Sequence, residues 1–508
     1  MRSLPRHRKP VLAVLSLLLL FIPRQVLGAD LPVLSSGTHR LPRPVISPQA
    51  LPKQVVARPF VVGDTLTVPA YSFRLGDQGH YKTTTTCRVV GSRCYLFVED
   101  EIWGSHRITQ AGLESLVDAF DRSTPADSSR GIYWVTTNLF GPPPDADADP
   151  RILIVVLDIL DSPITGTAFV GYFDVANQAP PTSREVIYID SNPLDIDSDL
   201  ARATLAHEFQ HMLHWRGDPD EDKWVDEGCS EYAELACGYK DTTRTAASAF
   251  LQVTNTSLTL WEDLPFDFDQ AYLWMTYFVQ RYGEGALPAL VSTPEDGIQG
   301  VDLVLEGIGS DDRYADLFAD WMAATFLDGP GPLGYDRIDL GSVHTDTLAV
   351  PTEVVVRRVR LWGIDYLALG ESAGVTATLS GALGSGLMVS LITQGNGEAS
   401  AGSASIPAGV QGRISAFGPG ARVLAVTRTS GDLEDYTISI AQLDGTSARA
   451  SDFDNSGRVD FEDFVRFARN FGRTHLSNGF DPSYDLDGDG RIAFPDFVIF
   501  ARNFGSSV

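Results

Sequence analysis

The segment His207-Glu208-Phe209-Gln210-His211 restricts the fold more than any other stretch of the chain. Two histidines four residues apart share a face only if the backbone is helical, and they then stand one turn above each other. Ser198 and Asp199 offer helix-starting side chains, Leu205, Phe209 and Met212 form an apolar stripe, and Gly217 offers a stop. These signals predict an amphipathic helix from Ser198 to Trp215. On it His207 and His211 can bind one zinc ion, with Glu208 placed to take a proton from metal-bound water.

In a chain of 508 residues with nine histidines, such a pattern arises by chance in about one sequence in a hundred, so its surroundings must support it. A strand reading Glu185 to Asp190 precedes the helix and an acidic helical stretch follows it. A catalytic zinc needs a third protein ligand and an open position. The extended metzincin pattern would require glycine at 214 and histidine at 217, whereas the chain has His214 and Gly217. His214 therefore reads as an ordinary helix-end residue. The alternative is an acidic ligand from Trp224-Val225-Asp226-Glu227-Gly228-Cys229-Ser230-Glu231, with Asp226, Glu227 and Glu234 as the competing assignments.

Taken together, the two segments resemble those of the gluzincin zinc metallopeptidases, and most closely the hyicolysin-like bacterial family, over roughly residues 85 to 330. The resemblance implies an α+β zincin-type catalytic domain with one catalytic zinc held by His207, His211 and Glu227. It also implies that Glu208 is the general base and that Glu231, one turn on, orients a ligating histidine through its other ring nitrogen. In Gln270 to Phe278 the same resemblance makes Tyr272 the candidate to polarize the substrate carbonyl, although an aromatic in a helix is more often core. The implied activity is hydrolysis of peptide bonds in protein or peptide substrates, internal cleavage being favored because no Gly-x-Met-Glu-Asn aminopeptidase motif occurs. An inactive peptidase-like binding protein is the alternative. Substrate could add as a strand to Ala168 to Phe173, unless that strand is internal.

The chain ends on an internal repeat, because Asp463 to Gly472 returns 33 residues later as Asp496 to Gly505. Each copy follows a loop with calcium-ligand spacing. Asp452, Asp454, Ser456, Asp460 and Asp463 fill positions 1, 3, 5, 9 and 12, with Gly457 at 6 and the Arg458 carbonyl at 7. Asp485, Asp487, Asp489 and Asp496 repeat the pattern, with Gly490 and the Arg491 carbonyl, while Ala493 leaves position 9 to water. Two structural calcium ions are expected. Aspartate in place of glutamate at position 12, followed by Phe-Val-x-Phe-Ala-Arg-Asn-Phe-Gly, resembles a type I dockerin over residues 452 to 505. That resemblance implies a small α-helical paired calcium-loop module that docks to a cohesin-like scaffold or cell-surface partner. Phe461-Glu462 and Phe494-Pro495 differ from the small hydroxyl residues usual at dockerin recognition positions, and a stand-alone calcium-stabilized module is the other reading.

A chain this long has room for about three folded units. Arg2, Arg6, Arg8 and Lys9, the apolar run Val11 to Ile22, and Gly28-Ala29 read as a signal peptide over 1–29, which predicts a secreted or extracellular protein, free or associated with a cell surface. The apolar run falls short of the roughly 20 residues a membrane span needs, and no later segment qualifies. Residues 30–60, rich in proline and arginine, read as a linker or pro-segment. Strands then helices over 61–330 predict the metallopeptidase domain; alternating runs over 331–446 predict a β-sandwich accessory domain; 447–508 hold the calcium repeats. A net charge of -27 repels nucleic acid and anionic membranes.

A Gly-Ser turn between Cys87 and Cys94 would permit a disulfide, whereas Cys229 and Cys237 lie on one helix and read as buried thiols. Asp145, Asp147 and Asp149 read as a solvated turn, and Asn255-Thr256-Ser257 fits a glycosylation sequon.

Overall fold

The computed structural model describes residues 33–42 and 58–505, apart from 106, 162–166, 181, 371–373, 383, 396–397, 418–419, 432, 443–449, 476, 478 and 488. The expected signal peptide, and residues 43–57 of the proline-rich stretch, lie outside the described residues. The described chain is mixed α and β with three sheets.

Seven strands form the first sheet: β1 (Val33–Ser36), β2 (Thr65–Ser72), β3 (Gly79–Val90), β4 (Cys94–Glu99), β5 (Ile152–Leu157), β6 (Thr167–Phe173) and β7 (Val186–Asp190). Their order is β1-β6-β7-β5-β4-β3-β2. The unbroken apolar run of β5 and the apolar core of β7 put both strands mid-sheet, where both faces are covered. β1 was not legible in the sequence, since four residues are too few to show a period. It pairs parallel to β6, Val33 opposite Thr167 and Leu34 opposite Ala168, so the start of the proline-rich stretch is part of the sheet.

The disulfide expectation fails on the pleat. Cys87 lies opposite Phe97 across the β3–β4 ladder, and Cys94 stands three residues before Phe97. Alternate residues point to opposite faces. Cys87 therefore joins the core on one side of the sheet with Tyr95 and Phe97, while Cys94 joins the core on the other with Leu96 and Val98. All four cysteines are buried free thiols.

Among the described residues up to 327, nine helices follow or interleave: α1 (Gln110–Asp121), α2 (Ile132–Phe140), α3 (Asp199–Gly217), α4 (Lys223–Cys237), α5 (Ser248–Gln252), α6 (Pro265–Tyr282), α7 (Leu287–Leu290), α8 (Gly297–Gly307) and α9 (Tyr314–Leu327). Ser198 caps α3 by accepting the Ala201 N–H at 3.1 Å, as its sequence position predicts. The helix is not amphipathic, however, because Ala203 through Trp215 are all buried. β6 and β7 cover one side of it and α1, α2 and α4 cover others. Its polar residues are thereby drawn inside the protein, where each needs a partner.

Beyond α9 two further sheets share one apolar core. The strands are β8 (Asp346–Leu348), β9 (Thr352–Arg360), β10 (Asp365–Leu369), β11 (Gly374–Gly381), β12 (Leu387–Gly395), β13 (Glu398–Ile406), β14 (Gln411–Phe417), β15 (Ala421–Arg428) and β16 (Leu433–Gln442). They are ordered β13-β12-β15-β10-β8 and β14-β11-β16-β9. Leu367, Val389 and Leu424 from one sheet meet Val375, Leu379 and Ile438 from the other. Tyr314 on α9 packs edge-on against Trp362 at 4.8 Å, tying this unit to the helices. Asn255 is committed to the same junction: its amide donates to the Arg358 carbonyl at 2.9 Å and accepts the Arg360 N–H at 3.0 Å, which leaves the sequon nitrogen engaged.

In the 145–149 turn Asp145 is exposed, as expected of a solvated turn, but Asp147 and Asp149 are not. Asp147 is buried on Arg184 at 2.6 Å, and Asp149 accepts from the Tyr95 hydroxyl at 2.6 Å.

Candidate active site

The position of Glu208 depends on a glycine of β6. A β-carbon at Gly171 would lie 2.6 Å from Thr204 Cγ2, closer than real contacts allow, and a tight 3.2 Å from Glu208 Cγ. Only glycine lets α3 lie this near the strand, so the Glu208 carboxylate stands directly over β6. Glu208 is fully buried.

His207 and His211 rise from the same face of α3, with ring centroids 4.9 Å apart. Glu227, on the second turn of α4, turns its carboxylate toward both. Its Oε2 lies 3.2 Å from His207 Nε2 and 3.6 Å from His211 Nε2. These three residues offer ligand atoms close enough to hold one ion. Of the three acidic assignments open in the sequence, Glu227 is the one that faces both Nε2 atoms.

The two other acids of α4 take a different job. Asp226 Oδ1 lies 2.9 Å from His211 Nδ1, and Glu234 Oε1 lies 2.9 Å from His207 Nδ1. Carboxylates on Nδ1 fix each ring so that Nε2 points to Glu227. Glu231, expected in that role, stands 3.7 Å from His207 Nδ1 and is instead paired with Lys240, which also holds Glu234 at 3.1 Å. The difference is angular: Glu234 is two turns beyond Glu227 on α4, so it shares the face that meets His207, whereas Glu231 sits nearer Lys240. His214 is buried and lies 3.3 Å from Asp226 through Nδ1, so it braces the acid rather than ending the helix in solvent.

Charge in this pocket is strongly biased. Burial opposes ionization of His211, yet Asp226 and Glu227 outweigh it and raise its pKa to about 10. His207 is raised in the same way, against burial, by Glu227 and Glu234. Burial likewise opposes charge on Glu227 and Asp226, and the histidines nonetheless hold both well below the ordinary carboxylate range. Carboxylates that keep their charge in an apolar interior form a receptor for positive charge. Two buried atoms, His211 Nε2 and Glu208 Oε1, make no hydrogen bond. A divalent ion among His207, His211 and Glu227 suits that donor set, and neutral imidazole nitrogens and a carboxylate are what zinc takes.

Tyr272 is not brought to this group. It is buried in α6 with its hydroxyl on the Asp241 carbonyl at 3.2 Å. β6 does border the site, but its outer edge is taken by β1. A cavity of about 430 Å³ opens along β1 and is lined by His207, Glu208, Glu231, Lys240 and Phe268. Sequence reasoning missed Thr38 and His39, which reach the site from beyond β1. Thr38 Oγ1 donates to Glu208 Oε2 at 2.6 Å, and His39 Nδ1 lies 3.2 Å from Glu227 Oε1. No local pattern could have flagged them, since they act across 170 and 188 residues of sequence.

The two C-terminal loops fold alike. Asp463 accepts the Phe453 and Asp454 N–H groups, and Asp496 accepts those of Leu486 and Asp487. Gly457 and Gly490 donate to Asp452 and Asp485 at 2.8 Å each. Asp452, Asp454 and Asp463 form one cluster that could hold a metal ion, and Asp485, Asp487, Asp489 and Asp496 form another. The helices after the loops, α10 (Phe461–Asn470) and α11 (Phe494–Asn503), stack Phe467 on Phe500 with centroids 5.7 Å apart.

No protein-family profile matches the chain. Over 112 residues, 19% of the chain, it is 32% identical to "Neutral metalloprotease ShpI" of Staphylococcus hyicus, and the match spans 26% of that protein's length. This partial similarity to a metalloprotease agrees with a metal-dependent protease. Among solved structures, the pre-peptidase C-terminal domain of a collagenase from Bacillus anthracis overlaps 19% of the chain and 94% of its own length at 12% identity, with a TM-score of 0.16. A family GH115 4-O-methyl-alpha-glucuronidase overlaps 58% of the chain and 51% of its own length at 9% identity and a TM-score of 0.13. Overlaps this slight define no fold for the chain.

Proposed function

We propose that the chain is an exported zinc metalloendopeptidase of the gluzincin type, whose zinc is held by His207, His211 and Glu227. The observation that carries this reading is the convergence of both Nε2 atoms on Glu227 Oε2, with each Nδ1 held by a carboxylate of α4. Bound there, zinc supplies a lowered water pKa and polarization of the scissile carbonyl. Glu208, beside the pair with Oε1 free of hydrogen bonds, accepts the proton of the attacking water and returns it to the leaving amine. Asp226 and Glu234 hold the imidazoles in the tautomer that presents Nε2. Among the described residues no helix is long and apolar enough to cross a membrane.

The test is cleavage of an unstructured protein such as casein. Zinc-loaded, activated chain should cut it at internal bonds, lose the activity to a chelator and regain it with zinc. Cleavage that survives exhaustive chelation contradicts the reading, and its absence in every metal-loaded form favors a peptidase-like binding protein.

The C-terminal loops fit two calcium ions and a tether to a scaffold or surface partner of the cohesin kind. Phe461 and Phe494, at the starts of α10 and α11, are about two-thirds exposed and offer that partner an apolar contact. Burial, then the neighboring aspartates, raise Asp485 to about 8 and Asp487 to about 6. Asp454 in the first loop is lowered by the Ser456 hydroxyl and N–H. Calcium needs carboxylates in their charged form. Below about pH 8 the second loop must therefore shed a proton to bind, whereas Asp454 of the first is already held in its charged form. Titration calorimetry at pH 7 in buffers of different ionization enthalpy should show proton release at one site, vanishing above about pH 9. Equal proton release at both sites would contradict this assignment.

A further inference from the structure

Residues 33–42 occupy the cleft that a substrate would need. β1 covers the outer edge of β6, and Gly37 extends the ladder by donating to the Gly171 carbonyl at 2.9 Å. Thr38 then makes two bonds at once, donating to Glu208 Oε2 at 2.6 Å and accepting the Phe173 N–H at 2.8 Å. His39 sets Nδ1 3.2 Å from Glu227 Oε1 and Nε2 3.2 Å from Asp263 Oδ1, its ring lying against Phe268 at 5.5 Å. Leu41 is buried and lines a cavity together with Phe173, Val175, His211, Trp215 and Pro219. Ser36, Thr38, His39 and Leu41 are all buried.

We propose that residues 33–42 are a latency strap, an inhibitor built into the chain that occupies the substrate groove and must leave before a peptide can be cut. The proposal rests on the peptidase reading for the word substrate, but the occupied groove stands on geometry alone. The strap engages three parts of the machinery: β1 the strand edge, Thr38 the general base, and His39 the outer oxygen of Glu227. A strand that served only to finish the sheet would need neither of the last two. Toward Glu208 the strap presents the Thr38 hydroxyl, which holds the carboxylate oxygen a substrate's attacking water would need.

Release follows from hydrolysis of one peptide bond between residues 42 and 58, with water as the only co-reactant and a carboxylate and an amine as products. The segment contains Lys53 followed by Gln54, a bond that suits a trypsin-like activator, whereas Arg43 is followed by Pro44. While uncut, the strap acts at the high effective concentration of a tethered ligand; once cut, it is held by its own contacts only.

The test uses the zinc-loaded full chain in four forms: intact, cut at a sequence-specific protease site placed within residues 43–57, uncut with Thr38→Ala, and uncut with Thr38→Ala, His39→Ala and Leu41→Asp together. On a quenched fluorescent peptide the cut and triple-substituted forms should exceed the intact chain by roughly 10-fold or more in kcat/KM, as expected for a site that is mostly closed, with Thr38→Ala between. A second readout needs no turnover. A fluorescein-labeled peptide of residues 33–42 should bind the cut chain after its strap is washed away, and the same peptide with both Thr38→Ala and His39→Ala should bind at least about 10-fold more weakly. An intact chain as active as the cut one, or a cut chain that does not distinguish the two peptides, overturns the strap. Selective peptide binding by a cut chain that hydrolyzes nothing upholds the strap and sinks the peptidase reading.

Discussion

Glu208→Gln, measured on the activated chain, should lower kcat/KM for peptide hydrolysis by about 1,000-fold while zinc content stays at one per chain. The substitution is close to isosteric. Glu208 packs where only glycine is tolerated on β6, and its Oε2 accepts from the Thr38 hydroxyl at 2.6 Å. A glutamine oxygen can keep that bond and the packing, so what is removed is the capacity to take a proton at Oε1. The loss should fall on kcat more than on KM, since the proton moves only on the way to the transition state. A mutant within a few-fold of the parent, with zinc retained, would remove Glu208 from the mechanism.

The second large effect separates the carboxylates of α4 by function. Glu227→Gln should weaken zinc by more than 100-fold, because about a quarter of the binding free energy of such a site, roughly 3 kcal/mol, goes with one ligand. Glu234→Gln and Asp226→Asn should cost about 10- to 100-fold each, since they release the Nδ1 atoms of His207 and His211 without removing a ligand. Glu231→Gln should change zinc affinity little, because its partner is Lys240 and not an imidazole. Competition against a chromogenic chelator ranks all four. Glu231→Gln matching Glu234→Gln would mean that the histidine is oriented as the resemblance implied and not as the geometry has it.

The comparison also shows what a sequence can carry. The helix of His207 and His211, its Ser198 cap, the strands β5 and β7 and the two aspartate loops were all legible, because each is specified by residues within a few positions of one another. Glu227 was legible as one of three choices; picking it required knowing which face of α4 meets α3. The roles of Glu231 and Glu234 came out otherwise for that same reason, as a spacing of three residues on a helix leaves both near His207 until the Lys240 contact is known. α2 was missed because Ile132-Tyr133-Trp134-Val135-Thr136-Thr137 has the composition of a strand, and packing against α3 overrides it. β1, Thr38 and His39 were missed because their partners are more than a hundred residues away and a four-residue strand leaves no periodic trace. The pleat, which local spacing does not reveal across the bulge after Cys87, separated the two cysteines that a turn appeared to unite.

The central claim is one zinc ion among three named side chains, and anomalous diffraction from crystals of the zinc-loaded chain, recorded on either side of the zinc absorption edge, tests it most directly. The account predicts a single strong peak within about 2.0–2.2 Å of His207 Nε2, His211 Nε2 and a Glu227 carboxylate oxygen. A peak on Asp226 or Glu234, or none in a chain that still cuts peptides, would contradict it.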